Sequence, residues 1–144
     1  MKVSFVVYGH PAAQGSSRAF VPKGWTRPII TSANPKLKSW RQEMCHAAKE
    51  AIFESSYTNW PIPAGIPVAL TLRLYFKPPK KEKRKYKPTR PDADKNLRAI
   101  GDSLSGIVIH DDSQIAIVHM EKLFGIPERV EIEVSECETN GTLF

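Results

Sequence analysis

Residues 68–106 read VALTLRLYFKPPKKEKRKYKPTRPDADKNLRAIGDSLSG. Val68, Leu70, Leu72, Leu74 and Phe76 take every second position, the period of a strand with one buried face. The alternation stops at Lys77. Pro78, Pro79, Pro88 and Pro91 then keep the chain out of helix and out of any central strand. Beyond them, Leu97, Ile100 and Leu104 recur at helical spacing, with Asp94 placed to cap this helix and Gly106 to end it. Gly101 inside the helix costs about 1 kcal/mol relative to alanine, which points to close packing at that position.

The same reading extends to both sides. Lys2 to Tyr8 alternates around Val3, Phe5 and Val7 and predicts a strand. The Gly-, Pro- and Ser-rich segment that follows, through Ile30, predicts a long loop or a loosely paired hairpin. Arg18, Lys23 and Arg27 in it are equally explained as phosphate contacts or stray surface charge. Asn34-Pro35 has the form of a helix start, and Leu37, Trp40, Met44, Ala47, Ala48 and Ala51 carry an apolar stripe through Phe53. Residues 55–67 form a connector. After the second helix, Ile107–Ile109 and Ile115–Phe124 are strand candidates flanking the turn HDDSQ, and Val130, Ile132 and Val134 alternate with glutamates in a last strand. Residues 137–144 form a frayed tail. The expectation is an α+β fold, one domain over 1–144, with a mixed or antiparallel sheet of four to five strands and two helices.

The hydrophobic fraction of 41% and charged fraction of 25% are those of a globular chain and exclude wholesale disorder. No apolar run approaches a membrane span, and the first residues lack the apolar stretch of a signal peptide, so a cytoplasmic location is expected. Cys45 and Cys137 lack metal-type spacing and read as reduced thiols. The net charge is +6. Residues 77–90 hold eight basic side chains and one acid, a balance of +7, so the rest of the chain sums to −1. A charge run can be a solvated face that only aids solubility. Concentrated in one loop, it points to a polyanionic partner, with Lys80, Lys81, Lys83, Arg84, Lys85, Lys87 and Arg90 as the candidate phosphate contacts.

Directly after that loop stand Asp92 and Asp94, and after the helix stand Asp111 and Asp112. Crowded carboxylates disfavour one another's ionisation unless a cation joins them. Mg²⁺ is commonly held by one or two carboxylates together with waters and phosphate oxygens. Each acid also has a structural reading. Asp94 serves as a cap, Asp92 as a turn residue, and Asp111 and Asp112 as a β-turn. Asp94, Arg98 and Asp102 fall on one helix face, where Arg98 is an ordinary ion-pair partner and Asp102 chiefly structural. His10, His46, His110 and His119 show no metal spacing. A basic loop leading into two pairs of acids favours a metal-dependent nuclease over a passive nucleic-acid binder.

Three blocks in order carry a resemblance: Asp92-Ala93-Asp94-Lys95-Asn96-Leu97-Arg98-Ala99, Asp102-Ser103-Leu104-Ser105-Gly106 and Asp111-Asp112-Ser113-Gln114-Ile115. Together they resemble the RusA-like Holliday junction resolvases, frequent in phages and prophages. The resemblance implies a homodimeric, Mg²⁺-dependent endonuclease (Mn²⁺ a possible substitute) that nicks four-way DNA junctions symmetrically, in recombination and repair. It implies Asp92, Asp94 and Asp112 as metal ligands and Arg98 as the cation that stabilises the phosphate transition state. The family often has asparagine where Lys95 stands, which makes Lys95 a candidate DNA contact. A nuclease for other branched DNA and a non-catalytic binding protein are the alternatives.

Overall fold

The strand at 68–76 is the middle of the structure. In the computed structural model, which describes residues 1–15, 17–32 and 35–138 (the backbone alone at 17–20 and 29–32), the chain runs β1 (Lys2–Tyr8), β2 (Ser17–Phe20), β3 (Ile29–Ser32), α1 (Leu37–Glu54), β4 (Val68–Phe76), α2 (Ala93–Leu104), a 3-10 turn (Asp112–Gln114), β5 (Ile115–Phe124) and β6 (Arg129–Glu136). The main sheet has the order β1-β6-β4-β5, and β2 pairs with β3 as a separate hairpin. β4 lies antiparallel to β6 and parallel to β5, so the sheet is mixed.

The alternation in β4 decides which face is covered. Leu70, Leu72, Leu74 and Phe76 are buried at 2% exposure or less. They join Val3, Val7, Val130, Ile132 and Val134 from the neighbouring strands in one cluster with Trp40, Met44 and Ala48 of α1 and Ala99, Ile100 and Leu104 of α2. The opposite face is polar. There Arg129 stacks on Tyr75 at 3.7 Å and pairs with Glu131 at 3.2 Å.

Local expectations differ from the structure in four places. The proposed cap at Asn34 lies outside the described residues, and α1 begins at Leu37, with Pro35 in the preceding turn. Asp92, not Asp94, occupies the N-cap position of α2, and its side chain makes no capping hydrogen bond. Ile107–Ile109 is not a strand. Gly106 reverses the chain at φ +85°, the Gly106 N–H donates to the Ile109 carbonyl at 2.8 Å, and Val108 and Ile109 plug the core from a tight turn. A short apolar run reports burial and leaves the backbone form open. The acidic turn at 111–114 is 3-10 helical. Of the C-terminal tail expected at 137–144, residues 139–144 lie outside the described residues. No helix among the described residues is long and apolar enough to cross a membrane.

The basic loop is irregular, as its prolines require, yet it is tied down. β5 is an edge strand, and residues 85–87 lie antiparallel against its far end. The Lys87 N–H donates to the Lys122 carbonyl at 2.9 Å, and the Phe124 N–H to the Lys85 carbonyl at 3.0 Å. Pro88 has no N–H to extend the ladder. The Lys122 side chain then holds the loop's exit, donating to the carbonyls of Thr89 and Pro91 at 2.7 Å each. Hydrogen bonds from a charged donor contribute about 1.5–3 kcal/mol each. Lys122→Met is therefore expected to speed tryptic cleavage within residues 77–90 several-fold at unchanged secondary structure. An unaltered cleavage rate, followed by mass spectrometry, would show that other contacts hold this segment.

Candidate active site

The loop exit held by Lys122 delivers the chain to α2. Asp92 accepts the Asn96 N–H with its backbone carbonyl at 3.2 Å, and the buried Asn96 side chain donates to the same carbonyl at 3.3 Å. The Asp92 carboxylate is left outside the helix, 3.7 Å from the Lys95 ammonium. Asn96 thus fixes the backbone that presents Asp92, a role its neighbours in sequence do not announce. Asp94 is exposed in the first turn and engages no described partner.

Asp94, Arg98 and Asp102 follow one another along one face of α2, with steps of about 6 Å. The ion pairs that would explain them structurally are not formed. Arg98 is exposed, and no described carboxylate pairs with it. Asp102 instead accepts a 2.6 Å hydrogen bond from the side-chain amide of Gln14, a residue 88 positions away.

The acidic turn comes to the other end of this face. The Asp111 carboxylate accepts from the Ser113 N–H at 3.1 Å, and the Asp111 N–H donates to Gln114 Oε1 at 2.9 Å, a reciprocal capping arrangement. The Ser113 hydrogen bond holds the Asp111 carboxyl below its ordinary value. Asp111 is therefore the scaffold of the turn. The amide of Gln114, largely buried, also donates to the carbonyls of Pro63 at 2.7 Å, Ile66 at 3.0 Å and Ile62 at 3.4 Å. The pattern Asp-Asp-Ser-Gln divides its work: the first acid caps, the glutamine anchors, and the second acid takes no part in holding the turn.

That second acid, Asp112, lies against α2 at Gly101. A Cβ on Gly101 would stand 3.6 Å from the Asp112 Cβ and 4.0 Å from its Oδ2. The expected close approach at this glycine is thus toward the acidic turn. The Asp112 carboxyl is pushed above its ordinary value, first by burial of that group, then by the charges of Asp111 and Asp102, and by a hydrogen bond shared with Asp102. Asp102 is therefore part of the acidic site and not only a helix-surface residue. Its partner Gln14 was not legible as functional in the sequence.

Among the described residues, no group of three or more His, Cys, Asp or Glu side chains is arranged to hold a metal ion. Asp92 and Asp94 stand at the start of α2 and Asp112 beside Asp102 near its end, with Arg98 between. The donor chemistry fits a hard divalent cation. All candidate ligands are carboxylate oxygens, Asp112 is an acid whose ionisation its neighbours oppose, and phosphate oxygens commonly complete such a set.

Two basic features flank these acids. A cleft of about 710 Å³ lies between the segment after β1 and the start of α2, lined by His10, Lys36, Arg90, Asp92 and Lys95. In the loop, Arg84 is engaged by the one local acid. Its guanidinium donates to Glu82 at 2.8 and 2.9 Å and holds the Glu82 carboxyl at about 2. Lys87 sits over the rings of Phe76 and Phe124 and donates to Thr89 at 3.0 Å. Lys80, Lys81 and Lys83 are exposed and make no described ion pair, as does Lys85, which lies over Tyr86. Arg18 lies where the side chains are outside the described residues.

Because the folded state raises the Asp112 carboxyl, it binds that proton more tightly than the unfolded chain, whose aspartates titrate near ~3.9. Stability contributed by the protonated acid is lost as pH rises from that value through the raised one. Asp112→Asn removes the loss. Asp112 is exposed overall, so solvent screening limits the gain to about a few tenths of a kcal/mol. In chelator, the variant's melting temperature should overtake that of the parent as pH rises from 3.5 to 7. A variant that falls behind over that range would contradict the crowding of Asp102 and Asp112.

Residues 10–135 match the family model described as endodeoxyribonuclease RusA. The chain is also 27% identical over 146 residues to the "Uncharacterized protein YqaN" of Bacillus subtilis (strain 168), covering 93% of this chain and 96% of that protein.

Proposed function

The chain belongs to the RusA endodeoxyribonuclease family, and we propose that it is a homodimeric, Mg²⁺-dependent resolvase that cuts four-way DNA junctions by paired, symmetric hydrolysis. The observation that carries this reading is the row of side chains along α2. Asp92 and Asp94 open the helix, Arg98 stands uncommitted in the middle, and Asp112 is packed on Gly101 near its end. Acids held for structure alone would be expected to pair with Arg98. Here none does.

Asp92 and Asp94 would hold the ion at the start of α2, with waters and oxygens of the substrate phosphate completing the set. Asp112, packed on Gly101 about 10 Å along the helix from Asp94, is the proposed third acid, drawn to the ion when metal and DNA are bound. When bound, a divalent ion polarises the phosphodiester and activates water for attack. Arg98 offers a permanently charged fork to the phosphate oxygens as charge develops, a geometry suited to charge stabilisation and not to proton donation. Lys95 and Arg90 line the cleft beside Asp92 and suit the flanking backbone. Lys80, Lys81, Lys83 and Lys85, with Arg84 and Lys87 beside them, form the phosphate-gripping margin along β5. Such contacts are independent of base sequence and weaken with salt.

With labelled four-way junction, matched duplex and Mg²⁺, paired nicks confined to the junction are expected. Asp92→Asn and Asp112→Asn should each lower cutting at least about a hundredfold, in the range of lost electrostatic stabilisation at a reacting phosphate, while junction affinity holds. Normal cutting by either variant removes that acid from the site, and equal cutting of duplex removes the junction preference.

Glu82→Gln gives a separate test of the loop. Releasing the Arg84 fork should tighten junction binding and steepen the dependence of log K on log salt by up to about one unit, the slope change of one added phosphate contact. An unchanged slope in a salt titration would place the DNA away from this loop.

A further inference from the structure

Gln14 lies outside every motif the function uses, yet it reaches the acids. It belongs to the segment after β1, in which Ala12 is buried at 4% exposure. Its backbone N–H donates to the Lys95 carbonyl of α2 at 2.9 Å, and its side-chain Nε2 donates to Asp102 Oδ2 at 2.6 Å. These two bonds fix the segment along α2 at both levels of the helix face. The Gln14 Oε1 is buried and has no hydrogen-bond partner among the described residues. A buried, unsatisfied amide oxygen costs stability, so this side chain is a poor choice for packing alone.

We propose that Gln14 is a positioning residue, whose amide fixes the Asp102 carboxylate beside Asp112 and so orients the acid that takes part in metal binding. Asp112 approaches α2 at Gly101, one residue before Asp102. A carboxylate at Asp102 free to rotate would swing toward or away from Asp112, and the geometry of the free acid would spread. The amide holds one Asp102 oxygen and leaves the other for its neighbour. Asp102 stands behind the proposed ligand Asp112 and Gln14 behind Asp102. Losing a partner behind a ligand commonly costs ten- to a hundredfold in metal affinity, and one step further out the lower end of that range is expected. The inference rests on the junction-cutting reading for its consequence in activity. Its structural part stands on the Gln14–Asp102 contact.

The test compares Gln14→Ala and Gln14→Glu with the parent protein. Trimming Gln14 removes the unsatisfied oxygen together with the donor, so the melting temperature in chelator should change little. Without DNA, the Mg²⁺ concentration that gives the half-maximal rise in melting temperature should increase about tenfold in Gln14→Ala, and at least as much in Gln14→Glu, which replaces the donor by a charge. On junction DNA, the Mg²⁺ needed for half-maximal cutting should rise in parallel while metal-free junction affinity stays at the parent value. Adding Gln14→Ala to Asp102→Asn should produce no further change, because the two act through one contact. A parental Mg²⁺ midpoint in both variants overturns the inference. So does an additive effect in the double variant. If the parent protein binds Mg²⁺ but cuts no junction, the resolvase reading fails while the thermal midpoints still decide the role of Gln14.

Discussion

Three backbone carbonyls, those of Ile62, Pro63 and Ile66, converge on the side-chain amide of Gln114. The connector that supplies them precedes β4, and the turn that supplies the glutamine precedes β5, so one buried amide joins the entrances of the sheet's two parallel strands. The same glutamine receives the Asp111 N–H and completes the capped 3-10 turn. Asp112 has its location because of this anchor. Its position against α2 follows from where the turn can lie once Gln114 is buried, and from the absence of a side chain at Gly101. Packing in the connector and the position of the acid are thus mechanically linked.

The charge distribution follows a consistent physical logic. The loop's one acid is used locally on Arg84, so Glu82 shapes the loop at the expense of its field. Lys122, on β5, is turned to the loop backbone and serves as a tether. What remains is a set of exposed ammonium groups in the loop and a cleft beside Asp92 lined by Arg90 and Lys95. Concentrated positive charge of this kind favours approach of a polyanion.

Much of this was legible in the chain itself. The period of two from Val68 to Phe76 identifies a half-buried strand, and the period of 3.6 from Leu97 to Leu104 identifies a helix, because each pattern follows from which side chains one surface can bury. The prolines of the basic loop forbid regular structure by removing donors. The glycine at 101 advertises a close neighbour, since nothing else offsets its cost in a helix. Short elements were less legible. Val108 and Ile109 are apolar whether they form a strand or a plug, and the choice depends on Ile62 and Leu104, which lie far off in sequence or behind the turn.

The sequence by itself determined the helices, the main strands, the basic loop and the list of acids, because local periodicity, proline chemistry and charge act over a few residues. Only the tertiary structure decided which acids are spent and which are free. Asp111 is a cap, Asp102 is held by Gln14 across 88 residues, Arg98 has no partner among the described residues, and Asp112 is turned onto Gly101. Each of those outcomes turns on contacts a few ångströms long between segments that the chain brings together only when the core closes.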